Sequence, residues 1–445
     1  MNDTDARRLL ETLFHDTIAA LQPSRAVHEA LDGPQGAPSL HQAQRLHLVG
    51  LGKAATGMTK AALAWCDAHA VAVTGGIVIT HAVADGLPPS IAACIGDHPV
   101  PGTRSLAAAD RLAAYVDEQV HRGDTVLVLL SGGTSALIGA PRLGVSTDAY
   151  IEIARALLTS GLAIDDLNLL RRRLSRLGGG ALGARLQERG ASAQVLAMSD
   201  VIGDSLEAIG SGPCIRDRST DVQVEAVVQR AHLDDATRTP LQQALHVVAT
   251  QHGARRPADD IPHRIIGSSI VAQRHLSTQA ALCGADMGHV QPAITGDAYA
   301  AGEAIAHEML RHALALPARA HRAPLLVCCW GGEPTVALPT REVPPGGRMQ
   351  ALALAAARTL AAHPSAAAGI TILAVGTDGR DGSTDAAGAI IDGTTWAAII
   401  DAGRDPAADL AAHRSHDALH AAGALLPAFV SGINVNDLVI ACVRH

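Results

Sequence analysis

Short apolar runs of strand length recur along this chain, each followed by a glycine-rich turn and an Ala/Leu-rich stretch with helical spacing. That order is the signature of βα units around a largely parallel sheet, and it constrains the fold more than any other feature. The runs are LHLVG before Gly52, GGIVIT before His81, TVLVLL before Ser131, AQVLAM before Ser199, LLVCCW before Gly331 and ITILAV before Gly376. In open α/β sheets ligands bind beyond the carboxyl ends of the strands, where these turns gather. Their polar residues are therefore the first candidates for a site.

A chain of 445 residues exceeds one ordinary core and suggests two domains. The charge-, Asp- and Pro-rich stretch between about 215 and 260 lacks a strand-like run and is the expected boundary region, giving domains of 1–240 and 241–445. The expected fold class is α/β, with each domain a largely parallel sheet flanked by helices. The net charge of −8 without long single-sign runs argues against a nucleic-acid or anionic-membrane partner. Aromatic residues at 2% offer no stacking platform for single strands. Seven cysteines without a CxxC spacing suit reduced thiols. The start lacks the order of a signal peptide and no run suits a membrane span, so a cytoplasmic location is expected.

Gly50, Gly52 and Lys53 follow the first run and open a helical stretch, a turn that can face phosphate or carboxylate, although it matches neither the P-loop nor the complete dinucleotide fingerprint. The turn Ser131, Gly132, Gly133, Thr134 and Ser135 offers consecutive N–H groups for a phosphate, with the hydroxyls as extra donors. Its SGGTS order is not that of a nucleophile elbow. Asp200 and Asp204 in SDVIGD could hold Mg²⁺ or accept a hydroxyl proton, and Asp378, Asp381 and Asp385 crowd a second acidic turn without calcium-loop spacing. Arg171, Arg172, Arg173 and Arg176 surround an apolar helical pattern; one or two could clamp an anion, the rest forming a solvated face. Arg348 follows two glycines in a loop that could carry a phosphoryl-stabilising finger. His413, His416 and His420 have helical spacing without an accompanying acid or Cys, and read as an exposed face.

Several of these motifs, in this order, resemble the glycerate 2-kinases of the MOFRL type, a family with an older hydroxypyruvate reductase label. The matching segments are VGLGKAATGM, GDHPVPG, LLSGGTSALI, LNLLRRRLS, SDVIGD with GSGP, WGGEPTV, GGRMQ, GTDGRDGSTDAAGA and INVNDL, which span nearly the whole chain. The resemblance implies a glycerate-kinase-like, Rossmann-type N-terminal domain and a MOFRL-type C-terminal domain. It implies an active-site cleft between them, ATP as co-substrate with Mg²⁺, and D-glycerate as acceptor. Carried onto this sequence, it makes Lys53 and Arg348 catalytic, puts phosphate on the SGGTS turn, and makes Asp200 the base or metal partner. Asn168, Arg171, Asp378, Asn436 and Asp437 would line the cleft, with Asp200, Asp204 and Asp378 as metal candidates. The chain departs from the family pattern at Met349 and Ala351, where Asn and Glu are usual, at Gly178 for a Lys, at Arg173 for a His, and at Thr134 for a Gly. These departures leave open a kinase for another small sugar acid and a non-catalytic homologue, and the older label leaves open a hydroxypyruvate reductase. Whether the protein forms a homodimer is also open.

Overall fold

The computed structural model describes residues 3–33, 38–83, 85–251, 261–288, 293–315, 325–338 and 344–444. Two compact units are present, Pro23–Ile266, and Met1–Gln22 together with Gly267–His445. This differs from the expected division at 240 at both ends. Residue 240 lies inside the helix Asp235–Gln251, and the last part of the charged stretch that suggested the boundary, 252–260, lies outside the described residues. The first helix, Asp3–Ala20, joins the C-terminal unit because its buried face packs there: Phe14 meets Phe429 edge-on at 5.9 Å, and Arg7 pairs with Asp392 at 2.8 Å.

The N-terminal unit is built on a six-stranded sheet of β1 (Leu46–Leu51), β2 (Val73–Thr80), β3 (Ile91–Ile95), β4 (Thr125–Leu130), β5 (Ser192–Met198) and β6 (His263–Gly267). Their order is β3-β2-β1-β4-β5-β6, and β3–β2, β2–β1, β1–β4 and β4–β5 pair in parallel. β1 and β4 are buried along their whole length, as strands covered by helices on both faces must be. The order reverses between β1 and β4, which opens the crevice where doubly wound sheets bind ligands. Between β4 and β5 the chain builds helices 147–158 and 164–174. These pack with helices 221–230 and 235–251 around Tyr150, Leu157, Leu170, Val227 and Leu241.

The C-terminal unit carries β7 (Asp286–Met287), β8 (Leu325–Gly332), β9 (Ile370–Gly376), β10 (Ala386–Asp392), β11 (Leu425–Pro427) and β12 (Asp437–Arg444), in the order β11-β10-β9-β12-β8-β7. It is an α/β unit, but its sheet corrects the expectation of a second parallel one. Among the described strands only the short β7 pairs in parallel, with β8; β8–β12, β12–β9, β9–β10 and β10–β11 are antiparallel. The chain between Gly376 and Ala386 is too short for a helical crossover, so β10 must turn back beside β9. The helix Arg348–Ala361 lies across this sheet and is almost wholly buried, which its Ala-rich sequence permits.

Candidate active site

In the N-terminal unit, the turns after β1 and β4 are stitched together. Lys53 donates its backbone N–H to Gly132 at 3.0 Å, Ser131 donates to Leu51 at 2.8 Å, and Ala54 donates to the Ser131 hydroxyl at 3.0 Å. Gly133 is left-handed, at φ 85°, and leaves the space above it to the Lys53 stem and the His98 ring, each 3.2 Å from where a β-carbon would stand. A β-carbon on Gly132 would overlap the Asp200 carboxylate. These two positions therefore require glycine, one for conformation and one for close approach. The outcome is an exposed Lys53 head beside a tightly braced glycine turn.

The hydroxyls of this turn do something other than expected. Ser131 and Thr134 are buried; Thr134 donates to the Ser131 carbonyl at 2.8 Å, and Ser131 also reaches the Leu51 carbonyl at 3.3 Å. They brace the turn and are not free donors. Ser135 is half-buried and shares a 2.7 Å hydrogen bond with Ser211, which holds the GSGP segment against the turn.

The arginines of the helix Ile164–Leu174 divide sharply. Arg172 and Arg173 are buried, not solvated: Arg173 meets Asp217 at 3.2 Å and Asp221 at 2.9 Å, and Arg172 lies 3.6 Å from both Asp217 and Glu207. Arg176, just beyond the helix, pairs with Asp110. Arg171 alone of the four has no carboxylate partner among the described residues; burial lowers its pKa, opposed by nearby Tyr150. Asn168, three residues earlier, is buried. Asp204 sits at φ 54° and closes a turn by donating to Val201 at 3.1 Å. The departure at Gly178 is packed beneath this region, with Ser175 and the Ser211 carbonyl each 3.2 Å from where a β-carbon would stand.

In the C-terminal unit a cavity of about 530 Å³ opens among Tyr299, Arg348, Asp378, His413, Asn436 and Asp437. Arg348 opens the helix Arg348–Ala361 instead of sitting in a free loop, and the stretch 339–343 of the expected loop lies outside the described residues. Its Nε donates to Asp437 at 2.5 Å and its Nη1 to Glu333 at 3.0 Å. Burial pushes Asp437 up to about 7, against the pull of the Arg348 charge. Asn436 is held at φ 68° by the turn into β12.

The second acidic turn also divides. Asp381 is buried and accepts the N–H groups of Met349 at 3.0 Å and Gln350 at 2.8 Å, so it satisfies the start of the Arg348 helix. Asp385 pairs with His416 at 2.9 Å, away from the cavity lining. Asp378 is exposed and faces the cavity, accepting from the Arg380 N–H at 3.0 Å. Met349, a departure from the family pattern, is fully buried in the core, whereas Ala351 lines the cavity. His413, read as part of an exposed face, instead bonds the Tyr299 hydroxyl at 2.7 Å at the cavity wall.

The structure thus gathers Lys53, Gly132, Gly133 and Asp200 in one unit, and Arg348, Asp378, Asn436 and Asp437 in the other. Sequence reasoning assigned nothing to His98, Tyr299 and Ser415. The GDHPVPG match was the only signal for His98, and Tyr299 and Ser415 reach the cavity through tertiary packing alone.

Residues 9–246 match the family described as "Domain of unknown function (DUF4147)", and residues 326–437 match the MOFRL family. A D-glycerate 2-kinase of Thermotoga maritima is 33% identical over 440 residues, spanning 98% of both chains. An Agrobacterium vitis protein with a provisional hydroxypyruvate reductase name is also 33% identical, over 98% of this chain and 94% of its own. The crystal structure of a glycerate kinase from Thermotoga maritima superimposes with a TM-score of 0.82 at 31% identity, covering 99% of this chain and all of that one. With both domain models in sequence order and full-length likeness in sequence and fold, the chain belongs to the glycerate 2-kinase family of the MOFRL type.

Proposed function

We propose that this protein transfers the γ-phosphoryl group of ATP to D-glycerate, giving 2-phosphoglycerate and ADP. The observation that carries the phosphoryl chemistry is the Lys53 side chain packed over the left-handed Gly133 of the SGGTS turn, a turn type whose backbone N–H groups suit a phosphate. The full-length likeness to a D-glycerate 2-kinase supports the acceptor. In the reaction the bond from γ-phosphorus to the ADP oxygen breaks as a bond to the acceptor's C2 oxygen forms, and the hydroxyl proton leaves to a base. Asp200, beside Gly132, fits that base. Such a transfer needs positioning and positive charge more than covalent chemistry, and Lys53 and Arg348 supply that charge. Asp437 and Glu333 hold the Arg348 guanidinium in place.

ATP ordinarily carries Mg²⁺, which neutralises phosphate charge and is commonly held by only one or two protein carboxylates. Among the described residues no three His, Cys, Asp or Glu side chains gather into a dedicated cage. Asp200 against Gly132 fits the single-carboxylate form, and the exposed Asp378 is an alternative; Asp204 closes a turn of its own.

The working compartment we propose is the cytoplasm, where ATP is available and thiols stay reduced. None of the seven cysteines forms a disulfide, and no helix among the described residues is long and apolar enough to cross a membrane. A homodimer is compatible with this reading, and neither nucleic acid nor membrane is needed. The strand order of the N-terminal sheet and the Agrobacterium vitis relative's name favour hydroxypyruvate reduction as a second reading. Against it, the turn after β1 lacks the third glycine of a dinucleotide fingerprint. The direct test is turnover of Lys53→Ala and Arg348→Ala with Mg²⁺-ATP and D-glycerate. Each should lose at least ~100-fold in kcat; near-wild-type turnover in both would remove them from the reaction.

A further inference from the structure

The ends of β1, β2 and β3 lead into Lys53, His81 and His98, and Arg171 approaches from the helix Ile164–Leu174. The His98 ring packs against Gly133, on the same spot as the Lys53 stem. The groups whose charge acts on His98 are Lys53, His81 and Arg171, all basic. No carboxylate is among the groups whose charge acts on His98. Asp97 accepts from Arg104 Nε at 2.6 Å and from the N–H of Arg104 at 2.9 Å, and Asp200 lies against Gly132. Basic groups that crowd together without an acid repel one another, and an anion relieves the repulsion. Burial and these neighbours hold His98 down to about 4, so its imidazole is neutral at physiological pH.

We propose that His98 is a further ligand-contacting residue of this site, holding a phosphate oxyanion of the nucleotide together with Lys53 and Arg171. The inference rests on the kinase reading for the identity of the nucleotide but not for the anion. A phosphate chain suits this spot better than a single carboxylate, because two full cations, Lys53 and Arg171, act on it. An added anion offsets the repulsion from Lys53, His81 and Arg171, so binding draws a proton onto His98. The ring then changes from a neutral donor to a charged one, which strengthens its hydrogen bond to the oxyanion.

The test follows the His98 ring by NMR in the full-length protein, its signal assigned by loss in His98→Gln and independently in His98→Asn. The probes are ADP, sulfate and D-glycerate, each alone; sulfate keeps a constant charge over the range scanned. The expected result is a titration midpoint raised by ~2 pH units with ADP, by less with sulfate, and unmoved by D-glycerate. Sulfate binding should strengthen as pH falls in the wild type and become flat in both variants, and both variants should raise KM for ATP ~10-fold. A midpoint unmoved by ADP and sulfate overturns the proposal, as does movement with D-glycerate alone. A shift with ADP in a protein that fails to phosphorylate D-glycerate would leave the inference standing and remove only the acceptor reading.

Discussion

Arg348 grips Asp437 with two nitrogens, Nε to Oδ2 at 2.5 Å and Nη2 to Oδ1 at 3.3 Å, and the carboxylate it grips is only 4% exposed. A two-pronged pair fixes the guanidinium plane as well as its position. Glu333 adds a third contact from a more exposed side chain, which solvent weakens. Asp437→Asn should therefore lower kcat ~10-fold or more while changing KM for ATP less, because it frees the direction of Arg348 without removing its charge. Steady-state kinetics of the variant, with Glu333→Gln as the milder comparison, checks this ordering.

Arg171 and Arg173 are two residues apart and should behave as opposites. Arg173→Ala leaves Asp217 short of a buried partner and should cost about 3 kcal/mol of stability, read by urea denaturation. Arg171→Ala removes a cation that no acid among the described residues holds, so stability should change by less than ~1 kcal/mol while KM for ATP rises.

A methyl group on Gly132 would overlap the Asp200 carboxylate. Gly132→Ala should therefore push Asp200 from its place and lower kcat ~10–100-fold with a stability loss of about 1–3 kcal/mol. Gly123→Ala, at a left-handed glycine with open space around it, controls for backbone strain alone and should leave kcat unchanged.

Two groups give the stability curve opposite slopes. Asp437 is raised from the ordinary 3.8 to about 7, so between those values the native chain keeps a proton that the unfolded chain has lost. Its contribution is present at low pH and is lost as pH rises through about 7. His98 is lowered from 6.5 to about 4; its contribution is present above 6.5 and is lost as pH falls through about 4. Removing one slope exposes the other. Melting temperature should rise more steeply from acid to neutral pH in Asp437→Asn than in the wild type, and less steeply in His98→Gln.

Much of this was readable from the sequence where a local pattern fixes the outcome. TVLVLL and LHLVG became the paired central strands β4 and β1, because a short uniform apolar run next to glycines has few alternatives. β10 was hidden inside a segment dominated by its acids, and its antiparallel return depends on a short connection, not on its own composition. Local chemistry marked Lys53, Arg348 and Asp378 as candidates, but it could not sort charges by partner. Asp381 and Asp378 look alike in sequence, yet one satisfies a helix start 32 residues upstream and the other faces a cavity. The same holds for Arg171 and Arg173, which only the placement of Asp217 and Asp221 separates.

The most direct measurement is ADP formation by the purified protein with Mg²⁺-ATP and D-glycerate, with the phosphorylated carbon identified by NMR and NADH oxidation on hydroxypyruvate run in parallel. The expected result is one ADP per 2-phosphoglycerate, weaker turnover with L-glycerate and four-carbon sugar acids, and no NADH consumed. Hydroxypyruvate-dependent NADH oxidation without ATP consumption would contradict it.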